Sequence, residues 1–336
     1  MNANNYSTRP FHVLALSGGG FRGLYTASVL AVLEERLGPP LASHFDLICG
    51  TSAGGLLAMG VAAEIPATEL QAMFSRDGGR IFDSRKGWRR VFGPWFRAKH
   101  SAEGLREVLT EKYGNKTLGE LKHRVLIPTV NYSKGGGQFF KTPHAKQFET
   151  DFGHRLVDVG LATAAAPTYF PMHTIERHGV YVDGGLVGNS PGFFGLHEAR
   201  HALGAGYERG DVRVLAVGTM TRGATKSGYS GLDWGYWQWK NKLFDLVIAT
   251  QEKSTDIFLS HLLNEDYMRI DDIAASDQGE DVKDLDVVTP GTIEVLSSRG
   301  TQAARGALGN PRFAPFRAHV APPATFFHGP NKNSED

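Results

Sequence analysis

The sequence predicts an α/β protein with a mainly parallel central sheet covered by helices on both faces. Three observations carry that expectation. Short apolar runs alternate with stretches of helical periodicity, the pattern of strand–helix–strand units. The first two of these runs each end in a glycine-bearing motif that leads directly into a helical stretch. Glycine makes up 41 of 336 residues, roughly 12% against the usual ~7%, with no repeat, so the excess belongs in tight loops.

The elements follow in order. Residues 12–17 (HVLALS) read as a short buried strand. Leu24, Ala27, Val29, Leu30, Leu33 and Leu37 recur at helical spacing, and Gly38-Pro39 stops that helix. A second strand spans 46–50 (DLICG). The stretch 53–64 is apolar nearly all round, as in a buried helix. Pro66 opens another helix, expected to run to Phe74. Ser101 is a candidate N-cap for a helix ending at Tyr113. Strands are expected at 124–132, where Pro128 marks an edge or bulge, and at 138–141, 180–183 and 212–217. Helices are expected at 156–166, 191–203, 234–263 and 293–307.

Nothing marks an internal boundary, so one domain over 11–328 is expected, between a polar start (1–10) and a flexible tail (329–336). The net charge is +1, from 36 Lys plus Arg against 35 Asp plus Glu, which argues against a binder of nucleic-acid polymers. The single Cys49 cannot form an internal disulfide, and no window holds ~20 apolar residues; both fit a cytoplasmic chain. Composition leaves the oligomeric state open, a homo-oligomer included.

Two motifs carry chemistry. Ser17-Gly18-Gly19-Gly20-Phe21-Arg22-Gly23 lies between the first strand and first helix. Consecutive glycines let backbone N–H groups converge on an anion, and the helix start adds a positive dipole end. Gly18, Gly20 and Gly23 also satisfy the dinucleotide pattern G-x-G-x-x-G. The acidic residue that pattern requires after the second strand is missing, which counts against a nicotinamide cofactor. The second motif, Gly50-Thr51-Ser52-Ala53-Gly54, matches the G-x-S-x-G nucleophile elbow in its strand-to-helix setting. The competing reading of Ser52 is a plain helix N-cap. Glycine-loop amides near Ser52 would form an oxyanion hole, with Arg22 orienting the loop or else simply exposed on the first helical turn.

A serine hydroxyl needs a base. His197 and His201, four apart on one helix face, read as a surface pair, and His261 falls within a helix. Asp183, in Asp183-Gly184-Gly185 at a strand end, is the stronger candidate, against the alternative of an Asp-Gly hairpin turn. No metal or organic cofactor is implied. An α/β-hydrolase with a histidine base is the enzymatic alternative.

The three elements SGGGFRG, GTSAG about thirty residues later and the distant DGG resemble the patatin-like phospholipase family over about 11–218. The resemblance implies a Ser52–Asp183 dyad. Gly18, Gly19, Gly20 and Arg22 would form the oxyanion loop, and Gly23, Gly50, Gly54, Gly184 and Gly185 would be the motif glycines. The stretch 165–170 (AAPTYF) is similar to a family segment preceding the aspartate. Ser17 departs from the pattern, since many members carry Asp there. The segments 44–55 (HFDLICGTSAGG), 131–132 and 135–142 resemble bacterial patatin-like effectors switched on by cyclic dinucleotides in anti-phage defence. That implies a cyclic dinucleotide activator and a phospholipid membrane surface as partners, with peripheral attachment at the inner membrane when active; the alternatives are a housekeeping lipid acyl hydrolase without nucleotide control and a non-enzymatic nucleotide sensor using the glycine loop. Residues 76–100 are basic and aromatic, opposed within the segment only by Asp77 and Asp83, and suit a lid that docks on headgroups. The arginines at 299, 305, 312 and 317 follow one another with no acid between and are expected to face water, with binding of a phosphorylated activator as the alternative.

Overall fold

Strand β1 (Phe11–Leu16) lies at the centre of an eight-stranded sheet. The computed structural model describes residues 9–83, 97–220, 233, 235–273 and 285–333. β2 (Leu47–Gly50) and β7 (Val212–Val217) flank β1 in parallel, and β8 (Tyr267–Ile270) lies parallel to β7 at one margin. On the other side β3 (Val125–Asn131) runs parallel to β2. Around β3 the sheet turns antiparallel: β4 (Gly136–Lys141) and β6 (Gly179–Asp183) both pair with β3, and β5 (His173–Ile175) pairs with β6. The parallel centre matches the sequence pattern. The short β5 (HTI) and β8 (YMRI) carry polar or charged residues, so neither reads as a buried apolar run as the equally short β2 (LICG) does.

Alternation along the strands sorts side chains into two cores. Leu14, Leu16, Ile48, Ile127, Leu215 and Val217 face one side, packed beneath α1 (Gly23–Leu37), α2 (Ala53–Ala62), α3 (Ala67–Ile81), α4 (Glu103–Tyr113), α5 (Leu156–Thr163) and α9 (Pro290–Leu308). Val13, Ala15, Leu47, Cys49, Val214 and Ala216 face the other side, against α7 (Gly192–His201) and α8 (Tyr236–Leu263). α6 (Gly185–Gly188) and α10 (Ala314–Ala318) are single turns. Thr289 caps α9 by accepting from Thr292 N–H.

Several expectations change. The helix after Pro66 continues past Phe74 to Ile81, because Met73, Phe74, Gly78 and Ile81 keep a buried stripe at helical spacing. Besides Asp77 within the basic segment, Arg80 pairs with two acids outside it, Glu107 and Glu111 on α4. Arg299 and Arg312 pair with Asp272 and Glu265 instead of facing water alone. Residues 329–333 fold back on the domain: Asn333 N–H donates to Phe326 O at 3.0 Å, and Asn331 Nδ2 to Leu121 O at 3.1 Å. Most of the basic, aromatic segment (84–96) and Trp234 lie outside the described residues. Among the described residues no helix is long and apolar enough to cross a membrane.

Leu57 on α2 is fully buried. Leu57→Ala is expected to lower the unfolding free energy by about 2–5 kcal/mol, read as a lower urea midpoint at unchanged m-value.

Candidate active site

The site is set by one edge of β3. β4 occupies the other edge, pairing with every residue from Leu126 to Asn131. The remaining edge is shared: β2 pairs with Val125 and Leu126, and β6 with Thr129 to Asn131. Because β2 runs parallel to β3 and β6 antiparallel, their carboxyl ends meet head-on. Pro128, which has no N–H to leave unpaired, occupies the gap between them. The residues just past β2 and at the end of β6 are Ser52 and Asp183.

Ser52 sits on the turn between β2 and α2 with φ 54° and ψ −126°, a strained backbone for a residue with a side chain. The turn is tight enough that a Cβ on Gly50 would strike Gly54 O, and one on Gly54 would strike Leu16 O. Ser52 stands at the N-cap position of α2, yet its side chain makes no capping bond. Its Oγ instead donates to Asp183 Oδ2 at 2.8 Å. The Ser52 N–H donates to Thr163 Oγ1 at 3.0 Å, and Thr163 Oγ1 donates to Pro128 O at 2.7 Å, tying the elbow to the β3 gap.

Asp183 is not in a hairpin. β6 ends there and α6 begins two residues later. The Asp183 and Gly184 N–H groups donate to Ala165 O and Thr163 O, both at 3.1 Å, and a Cβ on Gly184 would strike Pro128 O. Gly185 N–H donates to Asp183 Oδ1 at 2.6 Å. Both carboxylate oxygens are therefore held, and the group is 2% exposed. Burial raises the Asp183 carboxyl to about 6, against the opposing pull of the bonds from Gly185 and Ser52.

The glycine loop lies across the elbow. Gly18 N–H donates to Asn189 O at 3.0 Å, so this amide is engaged. Among the described residues the N–H groups of Gly19 and Gly20 have no partner, and both glycines line the same pocket as Ser52 and Asp183. Gly20 adopts φ 56°, and the neighbouring Phe21 N–H donates to Leu285 O at 2.7 Å. Gly23 starts α1 against Phe74 and Ala53. Arg22 is buried rather than exposed. Burial pulls its guanidinium below the usual arginine range, opposed by Glu252, Asp245 and Asp271.

The pocket holds about 640 Å³ including its open mouth. Its walls are apolar, with Leu56, Phe74, Phe82, Phe170, Phe244 and Ile248 among them. The 165–170 stretch contributes Ala166, Tyr169 and Phe170. No histidine lines it among the described residues. His197 and His201 stack on each other on the exposed face of α7, and His261 is exposed on α8. Thr163, Asn189 and Glu252 escaped the sequence reading, since each acts through a hydrogen bond to a distant segment and belongs to no local motif. Asp286 is buried and paired with His100 and Lys99.

A patatin-like phospholipase family profile matches residues 14–192. The chain is 59% identical over 323 residues to a cGAMP-activated phospholipase of Pseudomonas aeruginosa, covering 96% of each chain. It is 37% identical to a protein of that description from Vibrio cholerae (87% of this chain, 90% of the relative) and 33% identical to one from Escherichia coli (87% and 88%). The protein belongs to the patatin-like phospholipase family.

The raised Asp183 value makes a stability prediction. Folding favours the protonated acid, so this group's contribution is fully present below about pH 4 and is lost as pH rises through about 6. The difference amounts to about 3 kcal/mol. Asp183→Asn is expected to raise the unfolding free energy at pH 7.5 by up to that amount and to leave it nearly unchanged at pH 4, as measured by urea denaturation.

Proposed function

We propose that this protein is a phospholipase that cleaves membrane phospholipid esters with a Ser52–Asp183 dyad and is activated by cGAMP. The observation that carries the chemistry is the 2.8 Å bond from Ser52 Oγ to a buried carboxylate, beside two glycine amides without partners among the described residues. Ser52 Oγ attacks the ester carbonyl carbon while its proton passes to Asp183 Oδ2. The carbonyl oxygen becomes the oxyanion and accepts from Gly19 and Gly20 N–H. Collapse breaks the ester bond. Asp183 returns the proton to the departing alkoxide, leaving the acyl group on Ser52 Oγ. A water then attacks the acyl carbon and gives its proton to Asp183, and Ser52 regains that proton as the fatty acid leaves.

A lone carboxylate is a weak base toward an alcohol. Burial raises its affinity for protons, which brings it closer to the task. The apolar walls suit an acyl chain. Activation by cGAMP is supported by the description of the relative aligned over nearly the whole chain. In this reading the protein acts at the inner face of the bacterial membrane as a peripheral enzyme in antiviral defence. The basic, aromatic stretch 76–100 meets the headgroups.

The test is fatty-acid release from phosphatidylethanolamine–phosphatidylglycerol vesicles with and without cGAMP. Release should require the nucleotide, and Ser52→Ala or Asp183→Asn should each lower it at least about 10³-fold with the fold intact. Full activity in Asp183→Asn moves the base elsewhere, and equal rates without nucleotide remove the activator. The kcat/KM profile should fall about tenfold per pH unit below about pH 6, as Asp183 takes up its proton. A profile tracking a single histidine would favour the histidine-base alternative. Charge reversal at Arg89 and Arg90 is expected to weaken vesicle sedimentation at low salt; unchanged sedimentation would remove that segment's role.

A further inference from the structure

We infer that Asn189, oriented by Glu252, is the positioning residue that aims the Gly19 N–H at the reacting carbonyl oxygen. The inference rests on the proposed role of the glycine loop as oxyanion hole. Gly18 C=O and Gly19 N–H belong to one planar peptide and point in opposite directions. Whatever holds the Gly18 oxygen therefore fixes where the Gly19 hydrogen points. Asn189 Nδ2 donates to Gly18 O at 2.9 Å, with a longer bond from Thr219 Oγ1 at 3.3 Å. The Asn189 backbone oxygen accepts from Gly18 N–H at 3.0 Å. One residue thus grips both polar groups of Gly18.

This grip matters because the peptide joins two glycines. With no Cβ on either side, its rotation meets little steric resistance. A flipped peptide would present an oxygen, instead of a hydrogen, to a developing negative charge. The loop cannot be stiffened by a side chain, since a Cβ on Gly18 would strike Asn189 Oδ1. Hydrogen bonds must supply the stiffness.

Asn189 is itself held. The second bond from Nδ2 goes to Glu252 Oε1 at 2.8 Å. The amide nitrogen faces two acceptor oxygens, so its orientation is settled by the network. Asn189 and Glu252 are 2% and 3% exposed, where such bonds are least exchangeable with water. Glu252 comes from α8, which also supplies Phe244 and Ile248 to the pocket wall. The seating of α8 is therefore registered at the oxyanion donor as well as at the acyl wall.

The test uses the full chain at saturating cGAMP, with a short-chain ester, a trifluoromethyl ketone that forms a hemiketal oxyanion on Ser52, and an ether analogue that does not. Asn189→Leu is expected to lower kcat about 10²–10³-fold, with KM and ether affinity within about threefold. Ketone affinity should fall in parallel with kcat. Glu252→Gln, which keeps shape and loses charge, should show the same pattern at about tenfold and carries the test if Asn189→Leu does not fold. A kcat within threefold of wild type in both variants, or a kcat loss at unchanged ketone affinity, would overturn the inference. Failure of the underlying reading looks different: the wild-type protein would then bind the ketone no more tightly than the ether, and the inference would fall with it.

Discussion

Two strands share one edge of β3, and the active-site geometry depends on that sharing. β2 arrives along β3 in parallel and stops at Leu126; β6 arrives from the opposite end and stops at Thr129. Their carboxyl ends face each other across the carbonyl of Pro128. The chain leaving β2 carries Ser52, and the last residue of β6 is Asp183, so a contact spanning 131 residues of sequence is made by strand register. Thr163 locks the junction by bonding to the Ser52 amide and to Pro128 O. A change of one residue in either register would turn Ser52 or Asp183 to the opposite face of the sheet.

The same junction explains the electrostatics. A carboxylate at the meeting point of three strands is removed from water, and among the described residues two hydrogen bonds compensate it. The group would be more stable protonated; in the proposed mechanism that raised proton affinity is what lets a carboxylate serve Ser52, since no histidine lines the pocket among the described residues. The loss of stability stays local, within a sheet whose two faces are each closed by a continuous apolar core.

The glycine loop shows how the remaining polar groups are used. Of three glycines in a row, the first is consumed in anchoring, and the next two keep N–H groups without partners among the described residues. The anchor comes from just past β6 and from α8, two parts of the chain with no sequence signal linking them to the loop. Family membership and the strand–loop–helix setting both point to this loop, and neither distinguishes one glycine amide from the next.

Much of the architecture was legible beforehand. Apolar periodicity located the main helices, and the buried runs located β1, β2, β3, β6 and β7, because burial patterns repeat every two or 3.6 residues. Ser52 and the glycine loop were legible because each sits in a compact motif whose local backbone demands small residues. By its local pattern Asp183 was legible as a strand-end aspartate against a hairpin alternative, and the family resemblance pointed to it as the partner of Ser52. Its contact with Ser52, its dryness, the engagement of Gly18, the burial of Arg22 and the roles of Thr163, Asn189 and Glu252 were decided by tertiary structure. Sequence determines what a segment can form by itself. Partners brought together by strand register and helix packing have no fixed spacing along the chain, so no local pattern can encode them.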